Sequence, residues 1–297
     1  MQIDILKRFA GHVGMAFLLT MSLSCSTRSE GSGNDTMNSE EEFVSWEESF
    51  PGLTWGEMKQ LIITSIAEGD KKTFAGLVEY PIRRDYPLRD IENKEQMIEK
   101  FDLIFDAKFR DTLRTMDSNS WEAVGWRGYM LCDGMLWGDG LVEVINYSSP
   151  HEQQLRQKII KAEIAALHPS LRGPWEPIDR FLLDDSNYEF ARIDMDTTPD
   201  GLGYRLTLFK KNADVGDKPA MTLYGSLTMQ GSICYETYEF GNNDGYGATY
   251  EPDYYPEGEE NIESFRPFIL LTKPNGKETR LTIAKNHYYQ PCKITIK

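Results

Sequence analysis

The sequence predicts an α+β protein: a domain that begins with helices and ends in a β-hairpin, followed by an antiparallel β-sandwich or barrel domain. Three observations carry this. Apolar residues recur at helical spacing behind capping residues between Thr54 and Phe105, and an Asp-Gly pair joins two apolar runs at Asp133-Gly134. From Trp175 to Ile283 the chain is a succession of β-branched or aromatic runs separated by turn clusters. Helical spacing and strand alternation place side chains differently, so the change of pattern near Trp126 marks a change of element type.

Ahead of these elements, Lys7 and Arg8 precede an uncharged stretch from Phe9 to Leu23, which finishes in small residues, Ser22 and Ser24. That order reads as a secretory signal peptide over residues 1–24. A spanning helix needs about 20 mostly apolar residues; this run is shorter and is diluted by Gly11, His12 and Gly14. Ser22-Leu23-Ser24-Cys25 resembles a lipobox, departing from it at Ser22, where Leu, Val or Ile is usual. The resemblance implies a lipid on Cys25 and an address in the cell envelope, at the outer membrane or cell surface. Ordinary signal-peptidase cleavage at the same small residues would instead leave a secreted or periplasmic protein. Residues 25–53 are rich in Ser, Gly, Asn and Glu. They read as a flexible acidic tether, because they hold too little apolar surface to offset their ordering entropy.

The full chain carries a formal charge of −15. Residues 1–24 contain Lys7, Arg8 and Asp4, so a chain starting at Cys25 has 30 Lys+Arg against 46 Asp+Glu, a formal −16. Such a surface repels phosphate backbones and anionic headgroups, which argues against nucleic acid as a partner and leaves the Cys25 lipid as the route to a membrane.

Globular sequence starts at Thr54-Trp55-Gly56-Glu57, a capping-box pattern, followed by Met58, Leu61, Ile62 and Ile66 at helical spacing. Gly69-Asp70 ends that helix and opens the next, from Lys71 to about Val78, with Tyr80-Pro81 as its stop. A third helix runs from Asn93 to Phe105, with Met97, Ile98, Phe101 and Ile104 on one face. Phe109 to Met116 fits a short helix or a strand equally well. Asp133-Gly134 between Tyr129-Met130-Leu131 and Met135-Leu136-Trp137 signals a hairpin, and Leu141 to Tyr147 supplies a further apolar run.

The stretch GLVEYPIRRDYPLRDIENKEQMIEKFDLIFDAKF, followed by GWRGYMLCDGMLWGDGLVEVIN, resembles the NTF2-like (cystatin-like, SnoaL-type) domains attached to exported bacterial lipoproteins. The resemblance covers residues 54–147 and rests on general pattern. It implies a curved antiparallel sheet wrapped around helices, with a cone-shaped pocket. Some members of that family are isomerases or dehydratases with an Asp or His in the pocket. No histidine lies between Thr54 and Tyr147, so no activity carries over.

His151 to Leu167 reads as a helix closed by Pro169, forming a connecting segment over residues 148–170. Residues 171–297 then read as the antiparallel β domain. Its strands are expected at Asp179–Leu183, Tyr188–Ile193, Tyr204–Phe209, Ala220–Met229, Cys234–Phe240, Arg266–Thr272 and Thr279–Ile283. Export permits a disulfide, and Cys234 with Cys292 is the natural pair; the competing reading is free, buried cysteine.

Five groups of residues could carry function. Arg83-Arg84 could hold a carboxylate ligand by paired hydrogen bonds, or be a solvated strand end. Trp126 and Trp137 flank the hairpin as ligand-facing or core rings. Tyr246, Tyr250, Tyr254 and Tyr255 stand among Glu251, Asp253, Glu257, Glu259 and Glu260. Rings beside carboxylates suit a pyranose, and the competing reading is a long acidic loop. Asp194, Asp196 and Asp200 superficially suggest calcium, but the closing glutamate of a calcium loop is missing, so no metal is expected. The mature chain's histidines, His151, His168 and His287, accompany no nucleophile motif, and no cofactor or phosphate loop is indicated. The sequence therefore points to non-catalytic binding of a small molecule, glycan or protein partner. The alternatives are an isomerase-, dehydratase- or hydrolase-type enzyme using carboxylates in the cone pocket, and a structural assembly lipoprotein.

Overall fold

A computed structural model describes residues 50–199, 201, 203–230, 235–252 and 267–285. These fall into two units, one holding residues 50–84 and 90–155, the other residues 85–89 and 156–285. Among the described residues no helix is long and apolar enough to cross a membrane.

In the helix-first unit, α1 (Trp55–Glu68) begins at a complete capping box. Thr54 Oγ1 accepts from the Glu57 amide at 3.3 Å, while Glu57 Oε2 accepts from the Thr54 amide at 2.7 Å. The helix stops at Gly69, whose φ of 77° is left-handed and where an added Cβ would lie 2.5 Å from Arg110 Nη2. Helices α2 (Lys71–Gly76), α3 (Lys94–Ile104) and α4 (Ala107–Leu113) start at Asp70, Asn93 and Asp106, each side chain accepting an open amide of the first turn. The segment that sequence left undecided is therefore helical.

Four strands follow in the order β1 (Glu122–Ala123), β2 (Tyr129–Leu131), β3 (Leu136–Asp139) and β4 (Leu141–Ile145), all antiparallel. The β2–β3 turn is longer than a two-residue Asp-Gly turn. Leu131 pairs with Leu136, and Cys132, Asp133 and Gly134 all have positive φ. The core is closed by rings in edge contact, Phe74 with Phe105 at 5.2 Å and Phe101 with Phe105 at 5.1 Å, and by Phe109 stacked on Tyr147 at 4.0 Å. Helix α5 (Pro150–Ala166) comes next in the chain, which divides between its Leu155 and Arg156.

The second unit is built on a closed antiparallel barrel of eight strands, and of the sandwich and the barrel the sequence allowed, it is the barrel that forms. The strands are β5 (Trp175–Asp184), β6 (Tyr188–Asp196), β7 (Tyr204–Lys210), β8 (Met221–Gln230), β9 (Tyr235–Gly241), β10 (Gly247–Tyr250), β11 (Phe268–Thr272) and β12 (Glu278–Lys285). Each pairs with the next, and β12 returns to β5 through Thr282↔Asp184 and Ile283↔Leu183, so no strand edge is left open. Alternate residues fill the lumen, among them Phe181, Ile193, Leu206, Leu223, Phe240 and Leu281.

The outer face of β6 and β7 is buried as well. Phe190 and Phe209 stack there at 4.2 Å and pack with Leu167, Leu171 and Val215. β6 nevertheless keeps an apolar–polar alternation there, Ala191 and Ile193 facing the lumen and Arg192 and Asp194 the outer face, where they too are buried.

Candidate functional site

The barrel end at which β6, β8 and β10 finish and β7, β9 and β11 begin brings aromatic rings and a carboxylate together. Tyr204 opens β7, Glu236 and Tyr238 lie near the start of β9, and Tyr250 ends β10. In an antiparallel barrel those positions share one end. Tyr204 meets Tyr238 edge-on at 5.2 Å, Tyr238 stacks with Tyr250 at 5.9 Å, and Tyr250 lies 4.9 Å from Phe181. The Tyr238 hydroxyl donates to Glu236 Oε2 at 3.1 Å. Burial, and then the Glu236 charge, push the phenols of Tyr204 and Tyr238 above the ordinary tyrosine range. Both therefore remain neutral O–H groups at physiological pH, able to donate and to accept. Gly225 belongs to this end: it pairs with Tyr204 and Phe240, and an added Cβ would fall 1.7 Å from the Glu239 carbonyl.

The residues picked out from sequence are scattered. Tyr250 joins the cluster, buried in the barrel interior, whereas Tyr246 stands before the opposite end of β10. Burial, and then Tyr246 nearby, raise the pKa of Tyr188 at that opposite end. Tyr254, Tyr255, Cys25, Cys234 and Cys292 lie outside the described residues.

Arg83 is exposed, but its neighbour Arg84 is buried. The Arg84 Nε donates to Glu152 Oε1 at 3.0 Å, Nη1 to the Ile145 carbonyl and Nη2 to the Tyr147 carbonyl at 3.0 Å, with a second bond from Nη2 to Glu152 Oε2. Arg84, read from sequence either as a possible carboxylate clamp or as a solvated strand end, is buried and spends its guanidinium on partners within its own unit. Trp137 is half-buried, its Nε1 donating to the Gly134 carbonyl at 2.8 Å, and the Trp126 side chain is outside the described set. Asp194 is fully buried and held by Arg192 and Arg205, while Asp196 accepts from the Thr198 amide. His168 Nδ1 accepts from the Ser170 amide to cap a short 3-10 turn, Pro169–Leu171, and His151 is exposed.

Sequence reasoning missed a layer of buried charge on the helix-facing wall of the barrel. Arg192 pairs with Glu163 of α5 and, at 2.6 Å, with Asp194, and Arg205 Nη2 reaches Asp194 at 2.7 Å. Arg180 Nη2 stands 3.6 Å from the same Glu163 oxygen, and the Tyr86 hydroxyl donates to that carboxylate at 2.8 Å. Burial opposes the Arg192 charge, but Asp194 and then Glu163 outweigh it and the pKa rises. For Tyr86, burial and then the Glu163 charge hold the phenol well above its usual range, in its neutral form. The visible signal was Arg192, Asp194, Arg205 and Thr207 at alternate positions of two strands, a pattern equally suited to a solvated face.

Comparisons with family models, with curated proteins and with solved structures find no match to this chain. The functional reading therefore rests on the site alone.

Proposed function

We propose that this protein is an exported, lipid-anchored binding protein of the cell envelope, attached through Cys25, which takes a glycan or similar hydroxylated small molecule at the tyrosine-bearing end of its barrel. The observation that carries the reading is the juxtaposition of Tyr204, Tyr238 and Tyr250 with the Glu236 carboxylate at one barrel end. Half-buried Tyr204 offers a ring face to the C–H groups of a sugar and half-buried Glu236 an acceptor for its hydroxyls, while Tyr238 and Tyr250, buried in the lumen, support them from below. Eight-stranded barrels either fill their interior with side chains or hold one small ligand. Here the lumen is occupied by residues such as Phe181 and Leu206, which leaves the rim as the place to bind. The helix-first unit fits an NTF2-like domain, supported by four helices preceding a four-stranded antiparallel sheet. Its interior is packed with Phe74, Phe101 and Phe105, which favours recognition over catalysis in a cone.

Two measurements test this. Intact-mass analysis of protein extracted from membranes is expected to show a diacylglyceryl adduct on Cys25. Calorimetric titration with a panel of neutral oligosaccharides is expected to find a ligand whose affinity falls about fivefold in Tyr204→Ala, the loss of one aromatic contact worth roughly 1 kcal/mol. Glu236→Gln tests the carboxylate in the same way. Silence across the panel, or unchanged binding in both variants, sinks the reading.

A further inference from the structure

We propose that the helix-facing wall of the barrel binds one monovalent anion, chloride in ordinary salt solutions, along the row Arg180, Arg192 and Thr207. The row is fixed by strand register: Arg180 lies directly opposite Arg192 across β5 and β6, and Arg192 lies opposite Thr207 across β6 and β7. All three are buried, at 2%, 0% and 0% exposure. Among the described residues, Arg180 Nε and Nη2, Arg192 Nη2 and Thr207 Oγ1 have no hydrogen-bond partner. Buried donors are rarely left unsatisfied, and four such atoms in one cross-strand row point to a shared acceptor.

Charge names the acceptor. Arg180, Arg192 and Arg205 supply three positive charges to this buried layer, Glu163 and Asp194 supply two negative ones, and the Tyr86 phenol is neutral. The neighbouring Arg156–Glu176 pair adds no net charge. One positive charge is left over, carried on guanidiniums that retain unused N–H groups. A water molecule would accept hydrogen bonds but leave the charge uncompensated, and a divalent anion would reverse its sign. A single monovalent ion closes both the hydrogen-bond count and the charge count. The apolar wall is supplied by Phe190, whose ring lies 4.9 Å from the Arg180 guanidinium and stacks on Phe209.

The test is thermal melting of the whole mature protein in sodium chloride and in sodium gluconate at equal ionic strength, since gluconate is too bulky for a buried site. The midpoint is expected to rise with the logarithm of chloride concentration and to stay flat in gluconate. Arg180→Met removes the surplus charge and is expected to abolish the chloride response, while the exposed control Arg114→Met keeps it. Equal wild-type midpoints in the two salts, or an undiminished response in Arg180→Met, would overturn the proposal. Should Arg180→Met fail to fold, wild-type crystals grown in sodium bromide decide it. An anomalous bromide peak between the Arg180 and Arg192 side chains supports the site, and density there without an anomalous signal, water only, rejects it.

Discussion

Arg84 and Arg83 are adjacent in sequence and opposite in fate, and the difference is set by partners. Arg84 sits in a buried cradle of one carboxylate and two carbonyls, so removing it strands the Glu152 charge, whose remaining side-chain hydrogen bond comes from Ser148 at 2.8 Å. Breaking a buried pair from one side costs roughly 3–5 kcal/mol, whereas replacing both partners with apolar residues costs far less. Arg84→Ala is therefore expected to lower the urea midpoint severely, and Arg84→Met combined with Glu152→Leu to recover most of the loss. Equal destabilisation in the two variants would refute that account. Cys132 belongs to the same scale. Burial first, and then the Asp133 charge, push its thiol up to about 11, and its Sγ rests 3.5 Å from Met116 Sδ. The thiolate is the reactive form, so alkylation of Cys132 at pH 8, followed peptide by peptide, is expected to run about a hundredfold slower than that of an ordinary thiol.

At the scale of elements, legibility followed length and locality. The capping box at Thr54, the Asn93 cap and the spacing of Met97, Phe101 and Ile104 are local signals, and the helices they announce are present. Helix α4 has only seven residues, too few for a period to separate helix from strand. Strand β10 went unseen because Gly247-Ala248-Thr249-Tyr250 is short and lies beside an acidic, tyrosine-rich run. Its identity comes from β9 and β11, with Ala248 opposite both Phe240 and Leu271. The same non-local logic makes Gly225 testable. Its missing side chain lets β8 approach the Glu239 carbonyl, so Gly225→Ala must push two strands apart beside Tyr204. An overpacking cost of about 1–3 kcal/mol is expected in denaturant melts, with weaker oligosaccharide binding at that end. A variant as stable as the parent would show that the strands yield freely there.

Over the whole molecule, the distinction between sandwich and barrel depends on a single long-range pairing, β12 with β5, that no local window of sequence contains. The buried ion layer was hidden for a related reason: charges alternating along a strand mark a solvated face unless another element covers it, and the cover here includes Glu163 of α5. Both units also share a surplus of desolvated phenols, and this sets how stability responds to pH. Tyr80 and Tyr147 in the helix-first unit, and Tyr86, Tyr188, Tyr204 and Tyr238 in the barrel unit, all have raised pKa values, with burial as the first cause in each. A folded pKa above the unfolded value means that the native state holds its proton longer. The stability this confers is complete below the unfolded tyrosine value of about 10 and is lost as pH climbs from there toward the folded values. Lys59 and Lys100 are shifted down, chiefly by burial, and act with the opposite sign below their unfolded values. Six phenols outweigh two ammonium groups once pH passes 10. Urea-unfolding free energy is therefore expected to hold up to about pH 10 and then fall steeply. Phenolate absorbance at these tyrosines should appear together with loss of the fold, and normal titration of all tyrosines near pH 10 with the fold intact would contradict the burial on which the site at the barrel end depends.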